Sequence, residues 1–130
     1  MRKKVLLVDD SPTVLQLERA FLGEATYELF SAGNGGDAIA TATANRPDLI
    51  LLDIMMPGLD GIAVLRELRK RSETSTTPIV MVTTKSDEKN MTAALESGCT
   101  GYITKPFTRG ELLEIVRDTL ERNLEEAASE

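Results

Sequence analysis

In Lys4-Val5-Leu6-Leu7-Val8-Asp9-Asp10-Ser11-Pro12 a short apolar run breaks off at two adjacent carboxylates, and a serine–proline pair able to open a helix follows. A run this short and this apolar reads as a strand buried on both faces, which is the habit of a parallel sheet covered by helices. The same plan recurs along the chain. Leu49-Ile50-Leu51-Leu52 ends in Asp53, Pro78-Ile79-Val80-Met81-Val82 ends in Thr83, and Gly101-Tyr102-Ile103-Thr104 leads into Lys105-Pro106. Ligands of an open parallel sheet sit at the carboxyl ends of its strands. If these runs are neighbouring strands, three carboxylates, a hydroxyl and an ammonium converge on one crevice. That set suits a divalent cation and a phosphoryl group.

The segments between the runs carry helical patterns, so the chain reads as βα repeats of an α/β domain. Strands are expected at 4–8, 27–32, 49–52, 79–83 and 101–104. Ser11 is placed to cap a first helix with Pro12 at its first position, and Val14, Leu17 and Phe21 form its expected inward stripe. Asn34-Gly35-Gly36 reads as a turn before a helix that reaches about Ala44. Met56-Pro57-Gly58-Leu59 reads as a loop, and Asp60 caps a helix carrying Ile62, Leu65 and Leu68. A polar linker at 72–77, a helix over 87–97 and a stop at Gly98 follow. The last helix opens near Thr108 with a capping-box pattern to Glu111, and its stripe is Leu113, Val116, Leu120 and Leu124. Residues 1–122 form one expected domain, and 123–130 a polar C-terminal tail or linker stub.

Composition narrows the classes of function. Apolar residues make up 42% and charged residues 28% of 130 residues, enough for one domain with a proper core. A net charge of -6 argues against this domain gripping nucleic acid or an anionic membrane surface. Histidine is absent and Cys99 is the single cysteine, which removes His-based triads, a phosphohistidine carrier role, an internal disulfide and a structural zinc site. The apolar run after Arg2-Lys3-Lys4 is too short for a signal peptide and is cut off by Asp9-Asp10. The expected location is the cytoplasm.

Each candidate residue has a functional reading and a plain one. Asp9 and Asp10 would repel each other by about 4 kcal/mol at 4 Å and an effective dielectric near 20, and a divalent cation removes that penalty; they also suit an ordinary polar loop start. Asp53 is the candidate nucleophile, able to form an aspartyl phosphate when a metal and a cation hold the transferring group; an Asp capping a loop after a buried strand is also common. Thr83 suits a hydrogen bond to a phosphate oxygen, or is simply a β-favoured residue. Lys105 suits a point charge on the phosphate, or is a solvated loop lysine. Pro106 makes the preceding peptide bond a candidate for the cis form. Tyr102 reads as packing or as a rotamer switch reporting on Thr83.

With these pieces in order, the chain resembles the receiver domains of two-component response regulators, in the size and layout of the single-domain chemotaxis type. The resemblance runs from about Lys4 to Leu120 and is carried by LLVDDS (6–11), NGGDAI (34–39), PDLILLDIMMPGLDG (47–61), PIVMVTT (78–84) and GYITKPF (101–107). It implies a flavodoxin-like, doubly wound, five-stranded parallel sheet in the order 2-1-3-4-5 with five surrounding helices. It implies that Asp53 accepts phosphate from a sensor histidine kinase or phosphotransfer protein. Asp9, Asp10, Asp53 and the Met55 carbonyl hold Mg2+, with Asp10 the more direct ligand of the acid pair. Lys105 pairs with the phosphate, Thr83 moves toward it and Tyr102 turns inward behind. A downstream protein target or output domain then reads the changed face of helix 4, strand 5 and helix 5, where Lys89, Asn90, Glu96 and Arg109 lie.

Two departures stand out. Thr84 occupies a position usually held by Ala or Gly, with Lys85 after it at the expected mouth of the site. Met55 brings neither amide nor carboxylate to position a hydrolytic water, so the aspartyl phosphate is expected to be long-lived. Three rivals compete. A haloacid-dehalogenase-type phosphatase needs Asp-x-Asp after the first strand, where this chain has Asp9-Asp10-Ser11. A flavin-binding module lacks support, since no Gly-rich phosphate cradle and no Trp is present. A phosphorylation-independent receiver serving as an interaction platform must explain the intact Asp9, Asp10, Asp53, Thr83 and Lys105.

Overall fold

The computed structural model describes the backbone at residues 2–56, 58 and 60–129, and side chains there except at 85, 87, 88 and 123–129. The elements alternate as β1 (Lys3–Val8), α1 (Pro12–Leu22), β2 (Tyr27–Ala32), α2 (Gly35–Asn45), β3 (Leu49–Asp53), α3 (Gly61–Lys70), β4 (Ile79–Thr83), α4 (Met91–Glu96), β5 (Gly101–Thr104) and α5 (Arg109–Ser129). All strands pair in parallel, and the sheet order is β2-β1-β3-β4-β5. The expected flavodoxin-like topology is therefore present, and each of the five expected strands lies within one residue of its expected bounds.

Strand periodicity sorts the apolar side chains into two cores. Leu6, Val8, Ile50, Leu52, Ile79 and Met81 face α2 and α3, where Val64, Leu65 and Leu68 cover them. Val5, Leu7, Leu49, Leu51, Val80 and Val82 face the opposite way, under Leu22 of α1 and Leu112, Val116 and Leu120 of α5. Because both faces are covered, β3 and β4 are buried at every position, which is why their sequences do not alternate with polar residues.

Register carries this order into the site. Val8 pairs with Leu52, so the next residues, Asp9 and Asp53, emerge side by side. Both continue the alternate series that faces α1 and α5. Asp53 pairs with Val82 and Thr83 with Thr104, which sets Thr83 and Lys105 at the same end of the sheet.

Several local expectations shift. Ser11 caps α1 by accepting from the Val14 amide at 3.3 Å, with Pro12 in the first turn. Phe21 packs inward as expected, half-buried against the core under α1 and α5 with Leu15 and beside the buried Glu18 and Leu22, whereas Leu17 is 44% exposed. The reading fails at Leu17 because the buried position beside it is a carboxyl, Glu18, which an apolar template passes over. Asn34 is itself the N-cap of α2, accepting from the Asp37 amide at 2.8 Å, so Gly35 and Gly36 are the first helical residues and not a turn. The helix expected over 87–97 divides into a 3-10 segment, Lys85–Asn90, and the short α4. The 72–77 linker is polar but not fully solvated: Thr74 and Thr77 are buried. In α5, Val116 and Leu120 face the core as expected, but Leu112 is buried in place of the half-buried Leu113. Leu124 lies outside the described side chains, as do Pro57 and Leu59 of the 56–59 loop. The backbone of α5 runs on through most of 123–130, to Ser129, so this segment extends the helix.

Candidate functional site

Asp9 follows directly on β1 and is buried; its Oδ1 accepts from the Ser11 amide at 2.9 Å, so one loop turn both orients the carboxylate and starts α1. Its Oδ2 accepts from Lys105 Nζ at 2.9 Å. The same ammonium lies 3.6 Å from Asp53 Oδ2. Lys105 leaves β5 through an amide bonded to the Thr83 carbonyl at 2.6 Å, and the Lys105–Pro106 peptide is cis, as the sequence suggested.

Asp53 is 6% exposed at the end of β3, and its Oδ1 accepts from the Met55 amide at 3.3 Å. Asp10 is exposed on the bend after Asp9. One oxygen from each of Asp9, Asp10 and Asp53 lies within 4.8 Å of the others. Burial, and then the Asp9 charge, push the Asp53 carboxyl up to about 6, against the pull of Lys105 and the Met55 amide. Crowded negative charge therefore persists even with Lys105 in place. Lys105 is raised: burial pulls it down, but the Asp9 hydrogen bond and the surrounding carboxylate charges outweigh that.

The donor set answers which cation would fit. It offers oxygens only, three formal charges and no His or Cys, which suits a hard divalent ion such as Mg2+. Met55 stands beside this set with its side chain 59% exposed. Thr83 is buried at the end of β4, and its hydroxyl donates to the Thr84 carbonyl at 3.1 Å. Thr84 is half-buried, with its hydroxyl 2.8 Å from that of Ser86. The Lys85 side chain, expected at the mouth, lies outside the described residues. Tyr102 is 52% exposed on β5, pointing away from Ile103 and the α5 core.

Two residues important to this geometry were not singled out from the sequence. Gly61 opens α3 with its amide bonded to the Ile54 carbonyl at 2.9 Å. A Cβ at Gly61 would fall on the Asp53 carbonyl oxygen and within 2.7 Å of Ile54 Cα, so only glycine lets α3 start this close to the end of β3. The signal available was a glycine just inside a helix cap, where propensity gives it no reason to be. Glu18 is the other. It is 1% exposed, and its Oε1 has no hydrogen-bond partner among the described residues. Burial, and then the charge of Asp9, push it up to about 8. Its carboxyl thus holds its proton well above the usual carboxylate range, set in α1 on the same face of the sheet as Asp9 and Asp53.

The response regulator receiver domain family matches residues 5–117. The protein PilH of Pseudomonas aeruginosa is 39% identical over 117 residues, covering 90% of this chain and 97% of PilH. The DNA-binding response regulator MtrA of Mycolicibacterium smegmatis is 41% identical over 128 residues, of which this chain spans 55% of the relative's length. Among solved structures, the chemotaxis protein CheY4 of Vibrio cholerae superposes with a TM-score of 0.86 at 34% identity, covering 92% of this chain and 99% of that one. The receiver domain of the sensor histidine kinase PA1611 of Pseudomonas aeruginosa, described with a magnesium ion coordinated in its active-site cleft, superposes at 0.85 with 30% identity, covering 93% and 99%. Among the described residues no helix is long and apolar enough to cross a membrane. An acid cluster at the carboxyl ends of β1 and β3, tied to a lysine after β5 on a 2-1-3-4-5 sheet, thus agrees with matches spanning nearly the whole chain: this protein belongs to the response regulator receiver domain family.

Proposed function

We propose that this chain is a phosphoacceptor switch in which Asp53 takes a phosphoryl group from the phosphohistidine of a sensor kinase or phosphotransfer protein. The observation that carries the reading is the bridging ammonium: Lys105 Nζ stands 2.9 Å from Asp9 Oδ2 and 3.6 Å from Asp53 Oδ2. A cation already sits beside the nucleophile, where an incoming phosphoryl oxygen needs one. In the transfer, an ionised Asp53 oxygen attacks phosphorus, the P–N bond to histidine breaks and a P–O bond to Asp53 forms. Asp53 must be deprotonated to attack, and a cation beside it favours that ionised form against the burial and carboxylate charge that raise it.

Asp9, Asp10, Asp53 and the Met55 carbonyl are the groups that would hold Mg2+. When bound, the ion neutralises charge on the phosphoryl oxygens in transfer. Lys105 then exchanges Asp9 for the phosphoryl group. Thr83, whose hydroxyl donates here to the Thr84 carbonyl, turns toward it. Tyr102, outward here, follows into the space Thr83 leaves. The face of α4, β5 and α5 is the surface that changes, and the shift is bounded by the difference in phosphate contacts between the two states. A downstream protein or output domain reads that face.

Intact-mass measurement after incubation with acetyl phosphate tests the reading, with and without Mg2+, on wild type and Asp53→Ala. A single Mg2+-dependent adduct absent from the variant is expected. An adduct in neither, with beryllium fluoride also failing to bind, would leave a phosphorylation-independent docking module.

A further inference from the structure

On the face of the sheet away from α1 and α5, a groove of about 480 Å³ lies between α2 and α3. Its apolar lining is Ile39 of α2 and Ala63 of α3, both half-buried. Its charged lining is Arg66, Glu67, Lys70 and, just past the helix, Arg71. Ala63, Arg66, Glu67 and Lys70 follow at spacings of three and four, so they form one stripe of α3, beside the Val64, Leu65 and Leu68 stripe that fills the core. Three cations against one acid make the groove positive on a chain whose net charge is -6. α2 has nothing to answer them: after Asp37 in its first turn it carries no charged residue, and what it exposes beyond that turn is small, Ala40 and Ala44. Nor does the fold consume these cations. Arg66 Nε donates to a neutral hydroxyl, Ser97 Oγ, at 3.0 Å, and among the described residues neither Arg66 nor Lys70 closes an ion pair. Arg71 pairs with Glu67 at 3.2 Å, yet its buried Nε has no partner among the described residues. The helix dipole favours cations in the last turn of α3, but it does not call for an apolar trough beside them.

We propose that the α2–α3 groove docks an acidic amphipathic helix of a partner protein. Apolar side chains on one face of such a helix cover Ile39 and Ala63, and the small side chains exposed on α2 leave room for its backbone. Its Glu or Asp side chains meet Arg66, Lys70 and Arg71. The net charge of -6 repels an acidic partner from the domain as a whole, so the positive groove decides where it lands. None of the groups proposed to hold phosphate or metal lines this groove, so the inference goes beyond the switch reading and is tested without it.

The test is binding of a labelled Leu/Glu amphipathic helical peptide to the full chain, with a scrambled peptide of the same composition as control. A charge reversal in the groove, Arg66→Glu/Lys70→Glu, is compared with a remote exposed pair of the same charge change on α5, Arg109→Glu/Arg117→Glu. The milder Arg66→Gln/Lys70→Gln is compared with Arg109→Gln/Arg117→Gln, so the comparison survives a reversal variant that does not fold. The patterned peptide is expected to lose about tenfold or more in affinity to the groove reversal, about threefold or more to the neutral groove variant, and less than about threefold to either remote pair. The scrambled peptide is expected to bind the wild type at least about tenfold more weakly. Equal losses in groove and remote variants overturn the proposal in favour of diffuse charge effects. Equal binding of the scrambled peptide overturns it in favour of a simple anion site. Absence of binding of the patterned peptide to the folded wild type overturns it outright.

Discussion

Lys105 makes its shorter contact with Asp9 and not with Asp53: 2.9 Å against 3.6 Å. The ammonium is a counter-ion of the acid pair before it is a partner of any phosphate, so it competes with a metal for Asp9. Lys105→Met is expected to destabilise the metal-free protein by about 1–3 kcal/mol, because it strands a buried carboxylate beside two others. The same variant should bind Mg2+ more tightly and yet accept phosphate at least about tenfold more slowly. Urea unfolding, a Mg2+ titration and a phosphorylation time course read these effects; weaker Mg2+ binding would contradict the competition.

Asp53 and Glu18 make the metal-free protein less stable as pH rises. Each carboxyl binds its proton more tightly in the folded chain, Asp53 moving from 3.8 to about 6 and Glu18 from 4.5 to about 8. The stability each contributes is complete below its ordinary value and is lost as pH climbs through its folded value. The loss is on the order of 3 kcal/mol for Asp53 and 4–5 kcal/mol for Glu18. Thermal melts in chelator should therefore peak near pH 4–5 and decline toward pH 8. Asp53→Asn removes the lower part of that decline, and Glu18→Gln the upper part.

Glu18→Leu replaces a buried acid whose Oε1 has no partner among the described residues with an apolar side chain of similar reach. It should stabilise the protein by about 1–3 kcal/mol at pH 8 and much less at pH 5, where the acid is already neutral. A melt at the two pH values checks this; equal effects at both would mean that ionisation of Glu18 is not the cost.

Gly61→Ala drives a methyl group into the Asp53 carbonyl and Ile54 Cα, both backbone atoms that cannot rotate away. A loss of about 2–4 kcal/mol is expected, with slower phosphorylation because the shift falls on the peptide unit of Asp53, the proposed nucleophile. Gly36→Ala, whose new Cβ would meet nothing closer than 3.5 Å, is the control.

Met55 stands exposed beside Asp53 and offers no group to orient water. Met55→Asn should shorten the life of the aspartyl phosphate several-fold, measured as loss of the mass adduct after the donor is removed, and Lys85→Glu tests the mouth in the same way. Unchanged decay in both variants would contradict the reading of these positions.

The sequence by itself determined the strand and helix alternation and the chemical groups at the strand ends, because apolar runs, caps and prolines act over a few neighbouring residues. Ser11, Asp60 and the Thr108–Glu111 box could be read directly for that reason, and all three hold in the structure. The inward face of α1 could not. Helical spacing favours apolar positions, and whether Glu18 or Leu17 turns inward depends on how the helix rolls against the sheet. Nor could the preference of Lys105 for Asp9, a contact between residues 96 positions apart, which exists only once parallel register has brought β1, β3 and β5 to a common end. The closeness of Gly61 to Asp53 is likewise a matter of tertiary packing. Local patterns fix which groups the chain offers; distances between groups far apart in sequence are set by the sheet, through the packing of all its strands and helices together.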